Sequence, residues 1–117
     1  MKIHIDKLTL VQLNWAVAQI LLPATKNAKV WYMPEQQYDQ HKVWFPTVSD
    51  SFDPTHSWEI TGPLIEQERI HVWYHNLSQR WIGSSDLTGD HMGLTALEAA
   101  VRAYVGSYLG EEIEVPE

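Results

Sequence analysis

The stretch Ile70-His71-Val72-Trp73-Tyr74-His75-Asn76-Leu77-Ser78-Gln79-Arg80-Trp81-Ile82-Gly83 decides how the chain folds. As a helix it would set His71 and His75 one turn apart on a single face, within reach of a shared ion. As a strand it separates them by about 13 Å, four steps of extended backbone. β-Branched and aromatic residues dominate, Ile70, Val72 and Tyr74 alternate with His71, Trp73 and His75, and Asn76-Leu77-Ser78-Gln79 reads as a hairpin connection. The segment is therefore read as two antiparallel strands, 70–75 and 80–83, with both histidines on one wet face.

Upstream, Gly62-Pro63 reads as the start of a helix running about a turn and a half to Glu68, because proline at a first helical position needs no N–H partner. Ile65 then faces inward, and Glu66, Gln67 and Arg69 face outward. Downstream, Thr95-Ala96-Leu97-Glu98 has the form of a capping box and opens a helix from Ala96 to about Leu109, closed by Gly110. Leu97, Val101, Tyr104 and Tyr108 mark its large-residue face. Ala96, Ala99, Ala100, Ala103 and Ser107 form a neighbouring small-residue face that permits close approach of a sheet or helix. The tail from Glu111 to Glu117 alternates well enough for a short edge strand.

At the other end, Thr9 and Gln12 make a second capping box for a helix over 8–22, stopped by Pro23. Its apolar face is wide: Leu10, Leu13, Val17 and Leu21 form one stripe, and Val11, Trp15, Ala18 and Leu22 form the next. Such a face implies deep burial or a partner surface. Residues 23–57 carry no sustained period. Short extended pieces are expected at 29–32 and 41–45, each followed by a proline, and Asp50-Ser51-Phe52-Asp53-Pro54-Thr55 is turn chemistry. So long an irregular segment within a compact domain is unusual.

A chain of 117 residues suits one domain and buries roughly two thirds of its unfolded surface. It has no cysteine, which excludes disulfides and thiolate metal sites and favours a reducing cytoplasm. No export signal is read at the N-terminus, and no apolar run approaches the roughly 20 residues that span a bilayer. The formal net charge is −7. Residues 1–49 hold five lysines against Asp6, Glu35 and Asp39, whereas residues 50–117 hold three arginines against four aspartates and eight glutamates. Because nucleic-acid affinity rests on lysine and arginine contacts that release counterions, this balance argues against a DNA or RNA binder.

Candidate chemistry is sparse. Glu66 and Glu68 diverge by about 200° on a helix, too far to work as a paired acid and base. His71 and His75 are too far apart on a strand to share zinc, and His56-Ser57-Trp58-Glu59 has nothing to fix it beside them. Gly83, Gly89 and Gly93 match no phosphate-binding spacing, and Ser84, Ser85 and Ser107 lack a nucleophile-elbow context. The six tryptophans ask for another explanation. Trp15, Trp73 and Trp81 fall within regular elements and are read as core or sheet-face residues. Trp31, Tyr32, Trp44, Phe45 and Trp58, in or beside the irregular segment, are read as a candidate partner surface, the alternative being a minor cluster under a long loop.

Three separated blocks also carry a resemblance. Leu8-Thr9 with Leu13-Asn14-Trp15-Ala16-Val17-Ala18, Trp58 with Gly62-Pro63-Leu64-Ile65-Glu66, and Thr95 through Val105 ending in Leu109-Gly110-Glu111-Glu112 together resemble the phage NinX-like family, small proteins of tailed bacteriophages and prophages with no assigned function. Ala96 and Val101 depart from the proline and methionine that the family tends to have there, and 23–52 is longer and more aromatic. The resemblance carries over no catalytic or binding residue. The expectation is an α+β fold of one domain over 1–117: a small antiparallel sheet with a central hairpin, packed against an N-terminal and a long C-terminal helix. The expected role is that of a phage accessory protein, not an enzyme, which needs no cofactor and binds a host or phage protein in the bacterial cytoplasm. The alternative is an acidic mimic of nucleic acid occupying a host DNA-binding protein. No membrane or nucleic-acid partner is expected, and the sequence leaves the oligomeric state open.

Overall fold

The computed structural model describes residues 1–21, 31–32, 43–44 and 53–115. Their fold is α+β, as the sequence predicts. Strand β1 (Lys2–His4) runs into a 3-10 turn at Ile5–Lys7 and then helix α1 (Leu10–Leu21). Two short strands, β2 (Trp31–Tyr32) and β3 (Val43–Trp44), pair antiparallel. A second 3-10 turn at Pro54–His56 leads into α2 (Trp58–Glu68), followed by β4 (His71–His75), β5 (Arg80–Ser85), β6 (Thr88–Gly93), α3 (Ala96–Leu109) and β7 (Glu112–Glu114). No helix among the described residues is long and apolar enough to cross a membrane.

Local chemistry explains the helix boundaries. The Thr9 box closes as read: the Gln12 N–H donates to Thr9 Oγ1 at 3.3 Å and the Thr9 N–H donates to Gln12 Oε1 at 2.9 Å. At α3 the Glu98 N–H donates to Thr95 Oγ1 at 3.0 Å. The Glu98 carboxylate does not complete that box; it accepts from the Leu94 N–H and from Arg102. Helix α2 differs from the expectation, because it begins at Trp58 and holds Pro63 in its interior. Ser57 supplies the cap, its side chain accepting from the Ile60 N–H at 3.3 Å. Pro63 is tolerated because it and Glu59, whose carbonyl loses its partner, both lie exposed on the outer face, where water can replace the missing bond. The helix ends at Arg69 in left-handed conformation, φ 53°, with the Arg69 N–H donating back to the Glu66 carbonyl.

The hairpin forms as read, and β6 adds a third strand, so the sheet order is β4-β5-β6. Helix α3 lies across one face of this sheet, and α1 and α2 pack against α3. Close approach is built into two glycines. A Cβ on Gly83 would overlap the Ala99 carbonyl oxygen and stand 2.7 Å from its carbon, and one on Gly93 would stand 2.6 Å from the Ala99 nitrogen. The small-residue face of α3 therefore meets the sheet nearly backbone to backbone. On its other faces Val101, Tyr104 and Val105 join Ile5, Leu13, Val17, Leu64 and Ile113 in one buried cluster. The tail strand forms too, with β1 as its partner: Ile3 stands opposite Ile113.

Candidate functional site

Ionisable and polar side chains are buried at two places among the described residues. Arg102 is 5 % exposed. Its Nε donates to the Met92 carbonyl at 3.1 Å, Nη1 donates to the carbonyls of Ile5 at 2.6 Å and Leu8 at 3.3 Å, and Nη2 donates to Glu98 Oε2 at 2.7 Å. The segment entering α1 runs through the interior, where its carbonyls need donors. A planar guanidinium reaches several of them at once, and Glu98 balances its charge. His91, also buried, holds Asp6 through Nδ1 at 2.9 Å on the same side of the molecule. The group staples the N-terminus, β6 and α3 together. Its donors are already engaged by the chain itself, so it is a structural assembly.

The second place is the corner before α2. Asn14, fully buried on α1, donates from Nδ2 to Asp53 Oδ1 at 2.7 Å and accepts the Thr55 N–H at 3.0 Å. Thr55 Oγ1 also donates to Asp53 Oδ1, at 2.9 Å, and Thr61 Oγ1 donates to the Pro54 carbonyl at 2.7 Å. Threonine, histidine and aspartate in contact invite a nucleophilic reading. Such a relay needs the hydroxyl on one ring nitrogen and the carboxylate on the other. Here Thr55 Oγ1 and Asp53 Oδ1 both lie 3.1 Å from the same nitrogen, His56 Nδ1. The cluster shapes a turn and ties it to α1.

His71 and His75 sit four residues apart on β4, on a strand as read, and Glu66 is on the exposed face of α2. Among the described residues no three histidine, aspartate or glutamate side chains are grouped to hold a metal. Among the described residues, the two groups with displaced titration are phenols. Burial pushes Tyr104 up to about 12, with the charges of Tyr108 and Glu68 adding to it. The hydrogen bond to Glu68 raises Tyr108, whose hydroxyl donates to Oε2 at 2.9 Å and links α3 to α2. Both stay neutral across the physiological range, so neither supplies a base.

What the structure does present is a sheet face. Gly83 points at α3, and its ladder partners Val72 and His91, with Tyr74, Trp81 and Gly93, share that inner face. The outer face carries His71, Trp73 and His75 from β4, and Arg80, Ile82 and Ser84 from β5. Across its middle runs an apolar row, Trp73 opposite Ile82 and Ile82 opposite Met92. Ile82 is 5 % exposed although it faces outward, whereas Trp73 is 40 % and Met92 51 % exposed. Side chains directly opposite in a ladder stand close enough to shield one another, so the tryptophan and methionine flank the isoleucine and keep much of their own surface in water. Leu94, just past β6, and Leu77 at the hairpin tip are exposed as well. Lone apolar residues on a surface are ordinary; a row with a buried centre is less so.

The sequence assigned Trp73 to the core or a sheet face, and only its exposure distinguishes it as a contact residue. Of the five aromatics read as a partner surface, Trp58 is 57 % exposed at the start of α2. The backbones of Trp31 and Trp44 are ladder partners, and Tyr32 is opposite Val43. Phe45 lies outside the described residues. Signals that point to the missed groups do exist: Met92 sits within a polar strand two residues after Asp90, and Arg102 sits four residues after Glu98 inside an apolar helix.

The model of the family described as Bacteriophage P22, NinX matches residues 5–107, a span that contains Arg102 and the whole outer sheet face. No curated protein matches the chain.

Proposed function

The chain belongs to the bacteriophage P22 NinX family, and from that premise we propose that this phage accessory protein works by binding another protein, without chemistry of its own, in the cytoplasm of the bacterial host. The observation that carries the reading is the Trp73–Ile82–Met92 row on the outer sheet face, an apolar centre with a polar rim of His71, His75, Arg80 and Ser84. That anatomy, a large aromatic with exposed apolar neighbours and polar groups around them, is the one that concentrates binding energy at protein interfaces. Trp58, exposed at the start of α2, is a second contact point, and Trp31 and Trp44, read from the sequence as part of a partner surface, are tested beside it.

The test is quantitative capture of partners from phage-infected host lysate by the wild type, by Trp73→Ser with Met92→Ser, and by Trp31→Ala with Trp44→Ala. A partner retained by the wild type should be lost about tenfold or more in the first double variant, the size of effect expected for interface anchors. Retention unchanged in both double variants would remove the reading. The second reading, an acidic mimic of nucleic acid, is favoured by exposed Asp86, Asp90, Glu111 and Glu112. It requires capture that weakens steeply with salt and is competed by duplex DNA, a response that an apolar interface lacks.

A further inference from the structure

Among the described residues, strand β7 is paired on one side, with β1. The Val115 N–H donates to the Met1 carbonyl at 2.9 Å and the Ile5 N–H donates to the Glu111 carbonyl at 2.7 Å. Successive residues of an antiparallel strand turn their N–H and C=O to alternate edges. Residues 111, 113 and 115 therefore address β1, and Glu112 and Glu114 turn their backbone groups to the opposite edge. A groove of about 470 Å³ lies against β7, lined by Trp15, Gln19, Leu109, Glu112, Ile113 and Glu114. Its floor is apolar.

We propose that this groove receives an extended segment of a partner protein, laid beside β7 as a further strand, with an apolar side chain on Trp15 and Leu109 and lysine or arginine flanking it. This surface is distinct from the outer sheet face and extends the binding reading to a second contact of defined chemistry. Each feature of the groove selects the same occupant. Strand backbone groups turned to an open edge are matched by another strand. The cavity is near the small end of the roughly 300–1,000 Å³ typical of ligand sites, room for a few side chains. The rim is acidic, and it already holds one cation: the Met1 ammonium donates to Glu114 Oε1 at 3.0 Å. A second copy of β7 is the wrong occupant, because an antiparallel pair would set glutamates against glutamates.

The experiment uses the full chain and three short labelled peptides: one alternating lysine with valine and leucine, its glutamate counterpart, and the lysine peptide with alternate backbone amides methylated. Fluorescence anisotropy measures binding, and NMR hydrogen exchange follows the Glu112 and Glu114 amides. The lysine peptide should bind, slow exchange at both amides, and lose about tenfold or more in affinity on charge reversal or in Glu112→Lys with Glu114→Lys. Methylation should abolish binding. The Trp73→Ser, Met92→Ser protein should bind the peptide as the wild type does, which separates this groove from the sheet face. No binding by the lysine peptide, equal binding of the glutamate peptide, unchanged exchange at 112 and 114, or self-association through β7 would each overturn the proposal.

Discussion

Removing the Arg102 guanidinium tests the internal logic of the fold most sharply. In Arg102→Met the aliphatic stem keeps its packing, but the buried carbonyls of Ile5 and Leu8 and the part-buried one of Met92 lose a donor, and the Glu98 carboxylate loses its counter-charge. Ile5 keeps one long bond, from the Leu8 N–H at 3.4 Å. An abandoned buried acceptor costs about 1–3 kcal/mol, and a stranded charged one costs more. Taking the low end for the carbonyls and about 2 kcal/mol for Glu98, whose side chain is 14 % exposed, the loss is about 4–5 kcal/mol. That is a large fraction of the stability of a domain this size. Urea unfolding followed by circular dichroism should show a lower midpoint with an unchanged slope. Arg102→Met with Glu98→Gln should recover part of the loss, because a neutral amide is cheaper to leave buried than a carboxylate. A loss below about 1 kcal/mol for the single variant would refute the view that this guanidinium holds the N-terminus to α3.

Three further outcomes follow from particular contacts. Gly83→Ala forces the α3 backbone away from the sheet, since the neighbour it meets is the Ala99 carbonyl and not a flexible side chain, and should cost about 3 kcal/mol or more in a denaturant titration. The Tyr104 phenol, pushed up to about 12 from 10.0, gives stability that is whole below pH 10 and lost as pH rises toward 12, because the unfolded chain ionises first; the loss is about 3 kcal/mol, and Tyr104→Phe should abolish that part of the pH dependence in alkaline melts. Asp53→Ala removes the acceptor shared by Asn14, Thr55 and His56 and should cost about 2 kcal/mol, read as a shift of the urea midpoint.

The legible parts of this fold were those whose cause is local. Thr9 with Gln12, Thr95 before Glu98, and the alternation of 70–75 all write their structure into a few adjacent residues. Strand β6 was missed because Thr88-Gly89-Asp90-His91-Met92-Gly93 has a poor strand composition. Its last glycine is there for α3, which approaches too closely for any side chain. Strand β1 has three residues and a partner near the other end of the chain. The start of α2 is harder to read, because Pro63 has the form of a first helical residue whereas Ser57, the true cap, has no Glu or Gln three residues on to mark it. Arg102 and Asn14 were hidden for a different reason: each is buried to satisfy backbone or side-chain groups distant in sequence, and no window around it shows that need. The outer sheet face was half legible, since Trp73 and His75 were placed on one face, but Ile82 and Met92 join them only through the ladder register.

The most direct measurement of the central claim is photo-cross-linking in infected host cells, with p-benzoylphenylalanine in place of Trp73 on the outer face and, as the control, in place of Glu59 on the exposed side of α2. Binding through the sheet face predicts a discrete covalent adduct with one partner protein from position 73 and none from position 59. Adducts from both positions alike, or from neither while the protein is folded and expressed, would contradict it.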